Sequence, residues 1–79
     1  MKTKEKVINS IRENIKYKGP ITEEMNLIGD LGIDSFDMLM IINTLEEECS
    51  IIVEEEHLEN LNTVGDVISR LDSILSVSV

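Results

Sequence analysis

The chain has 79 residues, the size of one domain with a small core, and its only aromatics are Tyr17 and Phe36, so Leu, Ile, Val and Met must fill the interior. Its net charge of −9 is split: residues 1–18 hold six of the seven cations and two acids, for +4, and residues 19–79 hold Arg70 and fourteen acids, for −13. A body that acidic repels nucleic acid, the single Cys49 excludes an internal disulfide, and no apolar run or signal-peptide pattern marks a membrane or secreted protein, so a cytoplasmic monomer is expected.

Val7, Ile8, Ile11 and Ile15 recur at helical spacing and predict a first helix over residues 3–17, ended by Gly19-Pro20. Residues 18–33 then form a long connection. Ile21, Met25, Leu27, Ile28 and Leu31 are scattered through it, which predicts that it packs on the core. A second helix is predicted to start at Ser35, because Asp34 is a good N-cap and Asp37 stands at capping-box spacing. Steps of about 100° place Met38, Ile41, Ile42, Leu45 and Cys49 on one face of this helix. Phe36 and Met40 fall on the opposite face beside Asn43 and Glu47, with Leu39 at the boundary. That second face reads as a partner surface, unless the preceding loop folds over Phe36 and Met40.

Further along, Ile51-Ile52-Val53 is β-branched, yet one such run cannot make a sheet. Residues 54–61 predict a short helical turn carrying Leu58 and Leu61. Thr63 and Asp66 have capping-box spacing, and Val64, Val67, Ile68, Leu71, Ile74 and Leu75 mark the apolar face of a last helix. The tail Ser76-Val77-Ser78-Val79 is expected to fray. The predicted fold is all-α: a small bundle of three main helices plus one short helix, with a long loop between the first two and a single domain over residues 1–79.

Ser35 is the residue with the clearest chemical interest. It sits at a helix start with acids on either side, where backbone N–H groups and the helix dipole favour an anion. Nothing nearby in sequence activates it: His57 is the only histidine and no lysine follows Lys18. Such a serine suits modification by another enzyme better than attack on a substrate, although Asp-Ser is also an ordinary helix start. No Ser–His–acid spacing supports a hydrolase, and no pocket-forming core is evident, so the chain does not read as an enzyme. Cys49 is expected to be buried on the core face and His57 to be exposed. Neither belongs to a set of metal ligands, and Asp30 and Asp34 do not match a calcium loop. Asp37, Glu46, Glu47 and Glu48 are candidates for pairing with basic groups on partners, or simply solvated acids.

The run Leu31-Gly32-Ile33-Asp34-Ser35-Phe36-Asp37, followed by Leu45-Glu46-Glu47-Glu48 and by Thr63-Val64 at the last helix, resembles the acyl carrier proteins over nearly the whole chain. The resemblance implies that Ser35 receives 4′-phosphopantetheine from coenzyme A through a Mg²⁺-dependent phosphopantetheinyl transferase. The cofactor thiol then holds acyl or aminoacyl groups for partner enzymes with basic docking surfaces. Asp34 gains a second role there, helping to position Mg²⁺ or a basic transferase residue. The expected partner surface is Asp34, Phe36, Asp37, Met40 and Glu47, with no metal site. Phe36 stands where Leu is usual, Cys49 where a large aromatic often stands, and Val53-Glu54-Glu55-Glu56 lacks a common proline. Asp34-Ser35 argues against the His-Ser form of peptide-synthetase carriers. Fatty acid, polyketide, peptide and D-alanyl pathways stay open, as does an unmodified acidic interaction module of the same fold.

Overall fold

The computed structural model describes residues 2–77. They form α1 (Thr3–Asn14), α2 (Ser35–Cys49), a 3-10 turn (Glu55–Leu58) and α3 (Val64–Val77). No strand occurs among the described residues; Asn26 and Thr63 make one isolated antiparallel bridge. The fold is the small all-α bundle that the periodicity predicts.

α1 packs directly against both α2 and α3. Its apolar stripe, Val7 and Ile11, is fully buried, with Ile8 and Ile15 at the edge. α2 contributes Ile41, Ile42 and Leu45, and α3 contributes Val64, Val67, Ile68 and Leu71. These are the faces read from helical spacing. Cys49, expected to be buried, is half-buried and packs on the rim of the core.

α1 ends earlier than residue 17. Ile15 turns to extended backbone (φ −132°, ψ 165°), so its side chain reaches the core while its main chain leaves the helix. At this end Asn14 Nδ2 donates to Ser10 O at 2.8 Å and to Thr44 Oγ1 at 3.0 Å, tying the last turn of α1 to α2. Gly19-Pro20 therefore follows the helix end at a distance, and Arg12 Nη2 donates to Gly19 O at 2.9 Å to hold this stretch against α1.

Ser10 is the one buried polar side chain among the described core residues. Its hydroxyl donates to Ile41 O on α2 at 2.9 Å, and Thr44 Oγ1 donates to Met40 O at 3.0 Å. With Asn14 these groups form a short polar ladder between α1 and α2.

The connection between α1 and α2 is ordered by α3. A helix start leaves its first amides without partners. Here Val64 N–H donates to Met25 O at 3.0 Å and Gly65 N–H to Glu23 O at 2.9 Å, while Leu27 N–H donates back to Asn62 O at 2.9 Å. The loop thus lies antiparallel to the entry of α3, and Ile21, Leu27, Leu31 and Ile33 are buried. The loop packs on the core as expected, but Ile28, one of its scattered apolar residues, is 75 % exposed.

Thr63 and Asp66 form the expected reciprocal cap. Asp66 N–H donates to Thr63 Oγ1 at 3.1 Å, and Asp66 Oδ2 accepts from Thr63 N–H at 3.0 Å and Asn62 N–H at 2.9 Å. α3 runs through Val77, so Ser76, expected in a frayed tail, is helical; Ser78 and Val79 lie outside the described residues.

The backbone amides of Asn62 and then Thr63 hold the Asp66 carboxyl below the usual carboxylate value, with smaller help from the Thr63 hydroxyl and Arg70 and opposition from desolvation. A depressed carboxylate contributes stability above its unfolded value and loses it as pH falls through its folded value. Urea melts of Asp66→Asn and wild type should therefore differ most at neutral pH. The gap should close on acidification through the folded Asp66 titration.

Candidate functional site

α2 begins where the capping box predicts. Asp37 N–H donates to Asp34 Oδ1 at 2.8 Å, and Asp34 N–H donates to Asp37 Oδ2 at 3.3 Å. The backbone of Asp34 is extended (φ −97°, ψ −176°), which directs the entering chain off the helix axis. The turn before it is closed by Ile33 N–H to Leu27 O at 2.9 Å and Gly32 N–H to Ile28 O at 3.0 Å. Gly32 has φ +67°, a conformation that side-chain-bearing residues adopt at a cost.

Ser35 follows as the first residue of α2 and is exposed. Because Asp34 supplies the cap, the serine hydroxyl is not used to terminate the helix. His57 gives it no base: Nδ1 of that imidazole accepts from Glu54 N–H at 3.0 Å, and the ring lines a different crevice. His57 itself is half-buried, not exposed as expected, because the 3-10 turn folds the ring back on its own backbone.

The remaining expected residues divide cleanly. Asp34, Phe36, Met40 and Glu47 are exposed, and Asp37 is half-buried by the cap. Phe36 is 68 % and Met40 40 % exposed, so the loop does not fold over them. Phe36, Met40, Asn43 and Glu47 therefore form an open strip on α2 that mixes apolar and acidic groups. Glu46, grouped with Glu47 and Glu48 from sequence, does a different job: Oε2 accepts from Val53 N–H at 2.8 Å and anchors the chain after α2.

The absence of a pocket-forming core, inferred from sequence, is incorrect. An apolar groove of about 660 Å³ opens beside Ser35. Leu27, Ile28 and Ile33 line it from the loop, Met38 and Leu39 from α2, and Leu58 and Leu61, on the 3-10 turn and its exit, form the wall from the other element. Asp34 is the one ionisable residue on its lining. The signal for this groove was present but dispersed: Leu58 and Leu61 read as apolar residues of a short turn, and Ile28 as one of the loop's scattered apolar residues. Among the described residues no group of three or more His, Cys, Asp or Glu is arranged to hold a metal ion, and no helix is long and apolar enough to cross a membrane.

An exposed serine on a separately capped helix start, next to an apolar groove, fits what known sequences show. The family described as "Phosphopantetheine attachment site" matches residues 5–71. The acyl carrier protein of Thermotoga maritima is 32 % identical over 80 residues, covering 95 % of this chain and 99 % of that protein. The chain belongs to the acyl carrier protein family. The acyl carrier protein of Exiguobacterium sibiricum is 34 % identical over 76 residues, covering 90 % of this chain and 96 % of that protein. A solved Mycobacterium tuberculosis structure described as an acyl carrier protein superposes with a TM-score of 0.82 at 30 % identity, covering 90 % of this chain and 96 % of that one. Members of the family are carriers, not catalysts, and bind 4′-phosphopantetheine covalently.

The two faces of α2 should separate in mutagenesis. Leu45→Ala removes a fully buried side chain and should cost about 2–5 kcal/mol in denaturant melts. Met40→Ala, on the open strip, should cost under about 1 kcal/mol while weakening binding to a partner enzyme.

Proposed function

We propose that Ser35 is the attachment point of 4′-phosphopantetheine and that this chain acts as one carrier domain for aliphatic acyl groups in a fatty-acid type of biosynthesis. The observation that supports this reading is the apolar groove opening beside an exposed Ser35 that its own helix cap does not need. The cofactor, when bound, supplies a thiol that holds an acyl group as a thioester.

The residues of the chain contribute position and shelter. Asp34 and Asp37 keep the first turn of α2 formed before and after modification, because their bonds do not involve the serine hydroxyl. The transferase supplies the base that takes the Ser35 proton. Once Ser35 is esterified, the phosphate sits at the N-terminus of α2, where the helix dipole and the exposed amides of the first turn favour negative charge. An aliphatic chain folded back from Ser35 meets Ile33, Met38, Leu39, Leu58 and Leu61, and each methylene removed from water there gains about 0.8 kcal/mol. A charged aminoacyl group finds only Asp34 to pair with and stays in solvent, which is why aliphatic cargo is favoured.

Phe36 and Met40 give a partner an apolar anchor, and Glu47 beside them attracts Arg or Lys. The carrier works as a cytoplasmic monomer that meets its phosphopantetheinyl transferase and then acyl-transferring enzymes one at a time through this strip.

Incubation with a broad-specificity transferase, coenzyme A and Mg²⁺ should add one cofactor mass to wild type and none to Ser35→Ala. The helix content of the variant should be nearly unchanged by circular dichroism, since Asp34 provides the cap. Unmodified wild type with several transferases would leave the interaction module as the reading.

Electrostatics gives a second test. Rising salt should slow association with the transferase more than it changes dissociation. Glu47→Lys should impair modification more than Glu55→Lys, which lies on a different element. On-rates indifferent to both changes would reduce the acidic strip to a solubility device.

A further inference from the structure

The far wall of the groove is held by few fastenings. The 3-10 turn Glu55–Leu58 contains no buried residue. Its approach is anchored to α2 by Glu46 Oε2, which accepts from Val53 N–H at 2.8 Å. Its exit is anchored to α3 by Arg70, whose Nη1 donates to His57 O at 2.6 Å and to Glu59 O at 3.1 Å. Between these anchors the turn is closed on itself at its start. Glu54 N–H donates to His57 Nδ1 at 3.0 Å, and His57 N–H donates to Glu54 O at 3.0 Å.

The bond to Nδ1 sets a chemical requirement. Nδ1 accepts only when it carries a lone pair, so the ring must be neutral with its proton on Nε2. Protonation turns Nδ1 into a donor facing another donor, and the bond is lost. Of the side-chain types fastening this turn, histidine is the one that changes charge between about pH 5 and 8. Glu54, Glu55, Glu56 and Glu59 are the charged residues of its own segment, and Arg70 on α3 is the charged residue that lines the same crevice as the ring. Protonation sets a second cation in the crevice that Arg70 lines, which adds to the loss of the bond.

Leu58, the residue after His57, lines both the groove beside Ser35 and the small crevice where His57 sits against α2 and α3; Leu61 does the same. Movement of the ring is thereby coupled to the groove wall. We propose that His57 is a proton-operated latch: neutral, it closes the 3-10 turn and keeps the groove wall in place; protonated, it releases the turn and exposes the cargo. The effect on cargo rests on the reading of Ser35 as the attachment point, whereas the latch itself does not.

Amide exchange on the unmodified full chain reads the latch without Ser35. After correction for intrinsic exchange, protection of the Glu54 amide should fall roughly tenfold between about pH 8 and pH 5.5, as expected for the loss of one hydrogen bond. His57→Asn, whose side-chain oxygen can accept in place of Nδ1 but does not titrate, should keep its protection across the range. His57→Leu, with no acceptor, should lack it at both ends. The cargo effect is read on protein loaded at Ser35 with an acyl chain ending in a dansyl group. Its emission should shift to the red on acidification in wild type and stay constant in His57→Asn.

The proposal is overturned if Glu54 protection is flat while the imidazole resonances titrate, or if His57→Asn loses protection in the same way. It is also overturned if the turn opens without any shift in dansyl emission. A Glu54 amide that responds in a protein that cannot be loaded supports the latch and overturns the Ser35 reading alone.

Discussion

Everything about the site depends on how the entry of α3 finds partners for its first amides. Those N–H groups are buried against the loop and must be satisfied there. The carbonyls of Met25 and Glu23 satisfy them at 3.0 and 2.9 Å, and in doing so fix a connection that has no regular structure of its own. That alignment buries Leu27, Leu31 and Ile33, and it sets the turn whose end is Asp34. Ser35 is where it is because a helix some thirty residues later in the chain needs acceptors.

The capping of α2 explains why a serine can stand at its head and remain chemically free. Helix starts commonly recruit a hydroxyl to close the first turn. Here the carboxylates of Asp34 and Asp37 do so reciprocally, and the hydroxyl is spare. Thr63 and Asp66 cap α3 by the same reciprocal geometry, but there the threonine hydroxyl is recruited as an acceptor. Folding of α2 therefore asks nothing of the Ser35 hydroxyl.

Much of this was legible in the sequence, for identifiable reasons. The start of α2, its two faces and the apolar stripe of α3 follow from local spacing and local caps, which act over one or two turns. The end of α1 was not legible, because its last residue, Asn14, is fastened to Thr44 on another element and not to a local partner alone. The groove escaped for a related reason. Leu27 and Ile33 come from the loop, Met38 and Leu39 from α2, and Leu58 and Leu61 from the 3-10 turn and its exit, segments brought together by the tertiary fold. Read alone, none of those residues points to a shared groove. His57 escaped because its partner, the Glu54 amide, becomes available only once the 3-10 turn has formed.

The buried hydroxyl of Ser10 carries a mechanical consequence. A core of branched aliphatics lets helices slide past one another with modest loss, but a directional bond does not. Moving α1 by one residue would carry Ser10 Oγ about 1.5 Å along the axis and leave it unpaired in an apolar interior. With Asn14 and Thr44 added, the register of α1 against α2 is fixed at two points. Any change in helix spacing is then taken up more readily on the opposite side, by α3 and the 3-10 turn. Ser35 stands at the head of the half whose register directional bonds hold.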